Sequence, residues 1–284
     1  MDGIAPDVYA KQKSNAQLMA MQSIDSLIDA NYRPYDQIVD IGCGDGDITK
    51  HFLGKHLPHK HILAIDIVPD MISYARSHNH SDDNTIEYLL QDMSIEWPEL
   101  CPRVRELDGK VDLIFSNFTL SYMPDKWRTV GIFRRLLSTG GIFHANIFII
   151  GDLNKKLVTN GQQPGKWYQS REKQLDDWRQ SLLSDNQFLV KQFDIIDVIW
   201  PTDRQKMIDF MPIIVSKVRP FFKDDQSAYD RELNDHLWDT AFDTVVNPMA
   251  TEPNPGAWKR FLADPTIREV NRHHRLLRVT AIKQ

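Results

Sequence analysis

A chain of 284 residues with 42% hydrophobic and 26% charged positions can build one large globular domain with an added segment, and is short for two independent domains. Its 34 basic against 39 acidic residues leave a net charge of -5, which excludes a general nucleic-acid binder that needs a basic face against phosphate. The two cysteines, Cys43 and Cys101, lack metal-ligand spacing, the N-terminus does not read as a signal peptide, and no apolar run approaches the length of a bilayer, so a soluble protein of the reducing cytoplasm is expected.

Taken in chain order, Asp7 to Ala30 predicts a helix, because Leu18, Met19, Met21, Ile24, Leu27 and Ile28 recur at three-and-four spacing. Gln37 to Ile41 is a short apolar strand that runs into Gly42-Cys-Gly-Asp-Gly46, and helix resumes from Ile48 to His56. Strands follow at His61–Asp66, Ile86–Asp92, Val111–Ser116 and Ile142–Ile150. Helices fall between them at Pro69–Ser77, with proline in its first turn, and at Trp127–Leu137, ending at Gly140-Gly141. Strands alternating with helices imply a parallel sheet wound on both faces, with ligands at the carboxyl edge where the strand order reverses.

The pattern changes after Gly151. A polar loop precedes a helix at Ser170–Leu183, a strand at Phe188–Trp200, helices at Thr202–Pro220 and Asp224–Val246, and a closing strand from Arg275. Pro212 is expected to kink or divide the first of the late helices. Its run of Met207, Ile208, Phe210, Met211, Ile213 and Ile214 suits either core or a greasy pocket. Three segments result: an N-terminal helical segment over residues 1–30, a ligand-binding core over 31–150, and a helical cap with closing strands over 151–284.

The strongest chemical signal is Asp40-Ile-Gly-Cys-Gly-Asp-Gly46 between a strand and a helix. Glycines at Gly42, Gly44 and Gly46 let backbone approach a ligand closely. Asp66, at the tip of the second strand, is placed to accept two ribose hydroxyls. Asp92, at the end of the third, is placed for an exocyclic amine, with the Met93 backbone beside it. Asp40 would meet a cationic group or orient the loop. Ile67, Asn117 and the small Cys43 complete the expected cofactor set. A dinucleotide fits poorly: the glycines alternate, Asp47 stands where the fingerprint needs glycine, and Asp40, Asp45 and Asp47 would repel a pyrophosphate.

On these residues the chain resembles the class I S-adenosylmethionine-dependent methyltransferases. Asp40 to Gly46 looks like their first motif, Asp66 their ribose acid, Gln91-Asp92 their adenine contact, and Ser116 to Met123 their fourth-strand motif. The resemblance implies a Rossmann-like, doubly wound, mostly parallel seven-stranded α/β sheet and S-adenosyl-L-methionine as cofactor. A longer likeness, through Tyr9, Asn15 and a glutamine on the first helix, the late apolar cap and the short final strand, is to the juvenile hormone acid O-methyltransferase family. It implies esterification of the carboxylate of a small lipophilic acid, terpenoid or fatty.

In that family a first-helix glutamine and a tryptophan after the fourth strand are expected to hold the acid. Here Gln12 and Gln17 are both candidates, and Ser121-Tyr122 replaces the family's His-Trp pair. The expected acceptor residues are therefore Gln17, Tyr122 and Trp127, the last of which also suits helix-packing core. An ionised carboxylate needs no general base, in keeping with the lack of an evident one. Methylation of a polar metabolite, served by Arg219, Arg231 or His236, and a cofactor-binding protein without turnover are the alternatives. No metal, membrane or nucleic-acid partner is expected. His144 is expected to be buried, and the His273-His274 pair to lie at the surface.

Overall fold

The computed structural model describes residues 6, 13–31, 33–149, 170–218, 238, 239, 242, 245, 246 and 254–284. Helix α1 spans Ser14–Asn31 and leads into β1, Tyr35–Ile41. Helix α2 begins with a π-wound turn at Thr49–Leu53 and continues through Gly54–His56. Then come β2 (His59–Asp66), α3 (Pro69–His78), β3 (Ile86–Leu90), the short α4 (Pro102–Arg105) and β4 (Val111–Asn117). Helix α5 (Lys126–Leu136) runs directly into β5 (Leu137–Phe148). The later elements are α6 (Arg171–Leu183), β6 (Phe188–Asp203), α7 (Arg204–Val218), α8 (Ala257–Ala263) and β7 (Glu269–Lys283).

One seven-stranded sheet has the order β3-β2-β1-β4-β5-β7-β6. Strands β1 to β5 pair in parallel, as the strand–helix alternation predicts, and β7 pairs antiparallel to β5, giving the mostly parallel seven-stranded sheet that the resemblance implies. From β1 the chain steps outward to β2 and β3, then returns to lay β4 on the other side of β1. The order therefore reverses between β1 and β4, and their carboxyl ends diverge into the crevice where such sheets take ligands.

Burial on both faces explains the apolar strands. Ala20, Ile24 and Leu27 of α1 pack on Tyr35, Ile38, Leu113, Phe115 and Ile142 in one cluster. A second cluster joins Cys43, Ala64, Ile72, Ala75 and Tyr88. Local chemistry sets the helix ends: Pro69 opens α3 with Asp70 in its first turn, and the Asp125 side chain caps α5 by accepting the Arg128 N–H at 2.9 Å.

Several expected boundaries move. Strand β3 stops at Leu90, so Gln91 and Asp92 lie in the turn after it. Gly140 and Gly141 do not end a helix; they sit inside β5, which begins at Leu137 with a register irregularity opposite Val111 and Leu113. Helix α7 passes Pro212 without a break. The expected Asp224–Val246 helix falls mostly outside the described residues.

Two compact units emerge from the fold. One takes Ala5–Phe148, Leu175–Ile196 and Leu276–Gln284; the other takes Met1–Ile4, Ile149–Gln174 and Asp197–Arg275. The second has its own apolar core, in which Met207 and Met211 are fully buried with Phe242, Trp258 and Phe261. Met207 and Met211 are thus core residues, one of the two roles open to them in the sequence. Among the described residues no helix is long and apolar enough to cross a membrane, and no group of three or more His, Cys, Asp or Glu could hold a metal ion.

Candidate cofactor site

The loop after β1 is shaped by three left-handed glycines, Gly42 at φ 79°, Gly44 at φ 56° and Gly46 at φ 79°. Gly42 has a second reason to be glycine, because an added Cβ would lie 1.8 Å from Thr119 Oγ1. At Gly46 the same atom would meet the Ala75 Cβ and the Tyr88 ring at 2.8 Å. The loop is tied to the tip of β2 by its backbone: Gly42 and Cys43 donate to the Ile65 carbonyl at 2.7 and 3.0 Å. It is also tied by a side chain, since Gly44 N–H donates to Asp66 Oδ2 at 2.8 Å while Val68 N–H donates to Asp66 Oδ1 at 2.9 Å.

Asp66 is buried, and burial raises its carboxyl above the usual range against the pull of those two N–H groups. Each carboxylate oxygen still has a lone pair beyond the one that its backbone donor uses. Asp40 is buried more deeply and accepts the Thr49 hydroxyl at 2.6 Å. Burial lifts its pKa to about 7, Thr49 opposes the rise, and the Asp66 charge adds to it.

Helix α1 and the turn residue Lys13 just before it close the loop from the other side. Lys13 Nζ lies 2.7 Å from Asp45 Oδ2 and 3.1 Å from Asp47 Oδ1, and one turn later Gln17 Nε2 donates to Asp47 Oδ2 at 2.8 Å. A shallow open cleft is lined by Lys13, Asp40, Gly42, Cys43, Asp45, Ile48 and Asn117. Its wall therefore carries buried acids and one cation. A ligand with a positive centre and no phosphate fits this set of groups, and a pyrophosphate does not.

At the tip of β4, Asn117 donates to the Ala16 carbonyl at 3.0 Å and accepts from Asn146 at 3.0 Å. Phe118 follows with φ 69° and stacks on Phe148 with centroids 4.2 Å apart. Left-handed backbone at a non-glycine residue costs about 1–2 kcal/mol and turns the chain sharply at the crevice. The turn Leu120–Tyr122 comes next; there Ser121 Oγ is enclosed with no hydrogen-bond partner among the described residues, and Tyr122 is half-buried.

Of the residues singled out in the sequence, Asp40, Gly42, Cys43 and Asn117 meet at the cleft, while Gly44, Gly46 and Asp66 build the loop and its anchor. Gln17 reaches the same loop through Asp47, and Gln12 lies outside the described residues. Ile67 is 50% exposed beside Asp66, and Met93 is buried. Asp92 accepts the Ser94 N–H at 2.7 Å in its turn rather than ending a strand. Trp127 is 50% exposed on α5, which removes the helix-packing alternative. His144 is buried and bonded through Nδ1 to Thr280 Oγ1 at 2.9 Å. His274 departs from a surface position, packing 4.6 Å from the Trp200 ring.

Thr49 and Lys13 were missed in the sequence, and Thr119 stood in the fourth-strand motif without an assigned role. Of the two missed, Lys13 alone carried a signal, being four residues before Gln17 and so on the same helical face.

Residues 39–143 match the family described as a methyltransferase domain. The chain is 32% identical over 142 residues to a malonyl-[acyl-carrier protein] O-methyltransferase of Acetivibrio thermocellus, covering 50% of this chain and 44% of that protein. It is 28% identical over 142 residues to a trans-aconitate 2-methyltransferase of Deinococcus radiodurans, covering 50% and 48%. The chain thus matches less than half the length of these curated relatives. Among solved structures, the YcgJ protein of Bacillus subtilis shares the fold with a TM-score of 0.55 at 14% identity, over 93% of this chain and 98% of that one.

Proposed function

We propose that this chain is an S-adenosylmethionine-dependent O-methyltransferase that esterifies the carboxylate of a small lipophilic acid. The methyltransferase domain over residues 39–143 supports the reaction class. The observation that carries the cofactor is the pair of buried acids, Asp40 and Asp66, at neighbouring strand tips around a glycine loop. When bound, S-adenosylmethionine supplies the methyl group on a sulfonium cation.

Asp66 would accept the ribose hydroxyls on the lone pairs left by its two backbone bonds. Asp40, when ionised, and Lys13, which both line the cleft, would hold the ammonium and the carboxylate of the methionine end. Asp92 with the Met93 backbone, and Ile67 against the ring, would take the adenosine. Asn117 fixes the wall by bonds to α1 and β5.

The acceptor side asks little of the protein. A carboxylic acid is ionised at pH 7, so no group has to remove a proton, and catalysis reduces to alignment and exclusion of water. Tyr122, Gln17 and Trp127 are the proposed acceptor contacts, and the enclosed Ser121 hydroxyl joins them as a donor in need of an acceptor. Two named relatives, for a malonyl carrier protein and for trans-aconitate, support a second reading in which the acid is polar. Incubation with methyl-labelled S-adenosylmethionine and a panel of lipophilic and polar acids tests both. Alkali-labile methyl esters of the lipophilic members are expected; label appearing only on amines would overturn the carboxylate assignment.

A further inference from the structure

The unit that includes Asp197–Arg275 holds a buried cation that the methyl-donor site does not use. Arg272, near the start of β7, is 5% exposed. Its Nε donates to Thr202 Oγ1 at 2.7 Å. Its guanidinium carbon lies 4.1 Å from the centroid of the Phe210 ring and 5.8 Å from that of Trp200. Among the described residues no carboxylate pairs with it. Asp197 is committed to Arg275 at 2.7 Å, Asp203 to Lys206 at 3.4 Å, and Asp239 to the Trp258 N–H at 2.9 Å. Burial pulls the Arg272 pKa down to about 10, and no anion among the described residues opposes it.

A guanidinium is never neutral at physiological pH, so removing it from water without a counter-charge is costly, and ring faces offset only part of that cost. The Nη nitrogens have no acceptor among the described residues. They form the fork that matches the two oxygens of a carboxylate.

We infer that Arg272 is the anchor of a binding seat for an organic carboxylate with an apolar body, with Thr202 holding the guanidinium in place and the Trp200 and Phe210 rings forming apolar walls. The aromatic walls disfavour a hydrated inorganic anion. A single negative charge neutralises Arg272, whereas a phosphate dianion would leave a buried surplus. Thr202 acts as a positioning residue, since its hydroxyl fixes the Nε edge and turns the other edge outward. The inference deepens the carboxylic-acid reading above and rests on it for the choice of ligands.

Calorimetry on the full chain tests it, with octanoate, decanoate and phenylacetate as acids, octanamide as the neutral isostere, and inorganic phosphate as the hydrated anion. At least one acid is expected to bind the wild type, and Arg272→Met to weaken it by about tenfold or more while changing octanamide by less than about twofold. Arg272→Lys, which keeps the charge without the fork, is expected to fall between them, and serves alone if the Met variant does not fold. Binding of S-adenosylhomocysteine to each variant checks the fold and tests the methyl-donor reading separately. The seat is overturned if no acid binds the wild type, if acid and amide weaken alike, or if phosphate binds as well as the acids and with the same dependence on Arg272.

Discussion

Replacing Asp66 by alanine removes the acceptor of two backbone N–H groups, Gly44 at 2.8 Å and Val68 at 2.9 Å, as well as the proposed acceptor of the ribose hydroxyls. A hydrogen bond to a charged group contributes about 1.5–3 kcal/mol, so the two bonds together could hold several. Burial already penalises the charge of Asp66, which offsets part of that sum. A loss of about 2 kcal/mol in folding stability is the expected balance. Cofactor affinity should fall by a further 2 kcal/mol or so, about thirtyfold, because the diol loses a charged partner. Calorimetry with S-adenosylhomocysteine on a variant whose melting curve stays cooperative separates the two effects. Asp66→Asn, which keeps the size but turns an amide against one of the N–H donors, should lose nearly as much. A folded Asp66→Ala protein that binds S-adenosylhomocysteine as tightly as wild type would refute the role given to this strand tip.

Gly46→Ala should cost about 2–5 kcal/mol in urea unfolding, because strain at φ 79° adds to overlap with Ala75 and Tyr88; Gly140→Ala, at φ 78° with nothing within 4 Å, should cost only about 1–2. Equal losses would show that packing at Gly46 plays no part. For Asp40, burial holds the folded pKa near 7 against an ordinary 3.8, so the folded state keeps a proton that the unfolded chain releases. The contribution is therefore full below about pH 4 and is lost as pH rises to about 7, a fall of up to about 4 kcal/mol. Asp40→Asn should raise the melting temperature at pH 8 and leave it unchanged at pH 4, and a rise of equal size at both pH values would contradict the assignment. Donor affinity should move the other way, strengthening as Asp40 ionises toward pH 8. Tyr122→Phe should raise the KM for the acid and leave S-adenosylhomocysteine affinity alone, and an unaltered KM would remove Tyr122 from the acceptor site.

The parallel strands were legible because burial on both faces makes them continuous apolar runs, as at Ile62–Ile65, where every residue is enclosed. The glycine loop was legible because its left-handed backbone tolerates few other residues. The start of β5 was not. Ser138, Thr139, Gly140 and Gly141 carry turn chemistry, yet the pairing of Val111 with Leu137 draws them into the sheet. Helix α8, a seven-residue segment between Gly256 and Asp264, is too short for periodicity to reveal.

At the site, Asp40, Asp66 and Gly42 could be named from position along the chain. Their partners could not, since Thr49 meets Asp40, and Lys13 meets Asp45, only through the winding of the chain around β1. Arg272 gave no signal either: one arginine in a polar strand start looks solvated until Trp200, Thr202 and Phe210 are folded around it.

Competitive calorimetry of the wild-type chain with S-adenosylmethionine, NAD and ATP bears most directly on the acidic strand tips. Micromolar or tighter binding of the sulfonium compound, with neither phosphate-bearing nucleotide displacing it, is the expected result. Tight binding of NAD or ATP to a protein that ignores S-adenosylmethionine would contradict the account at its root.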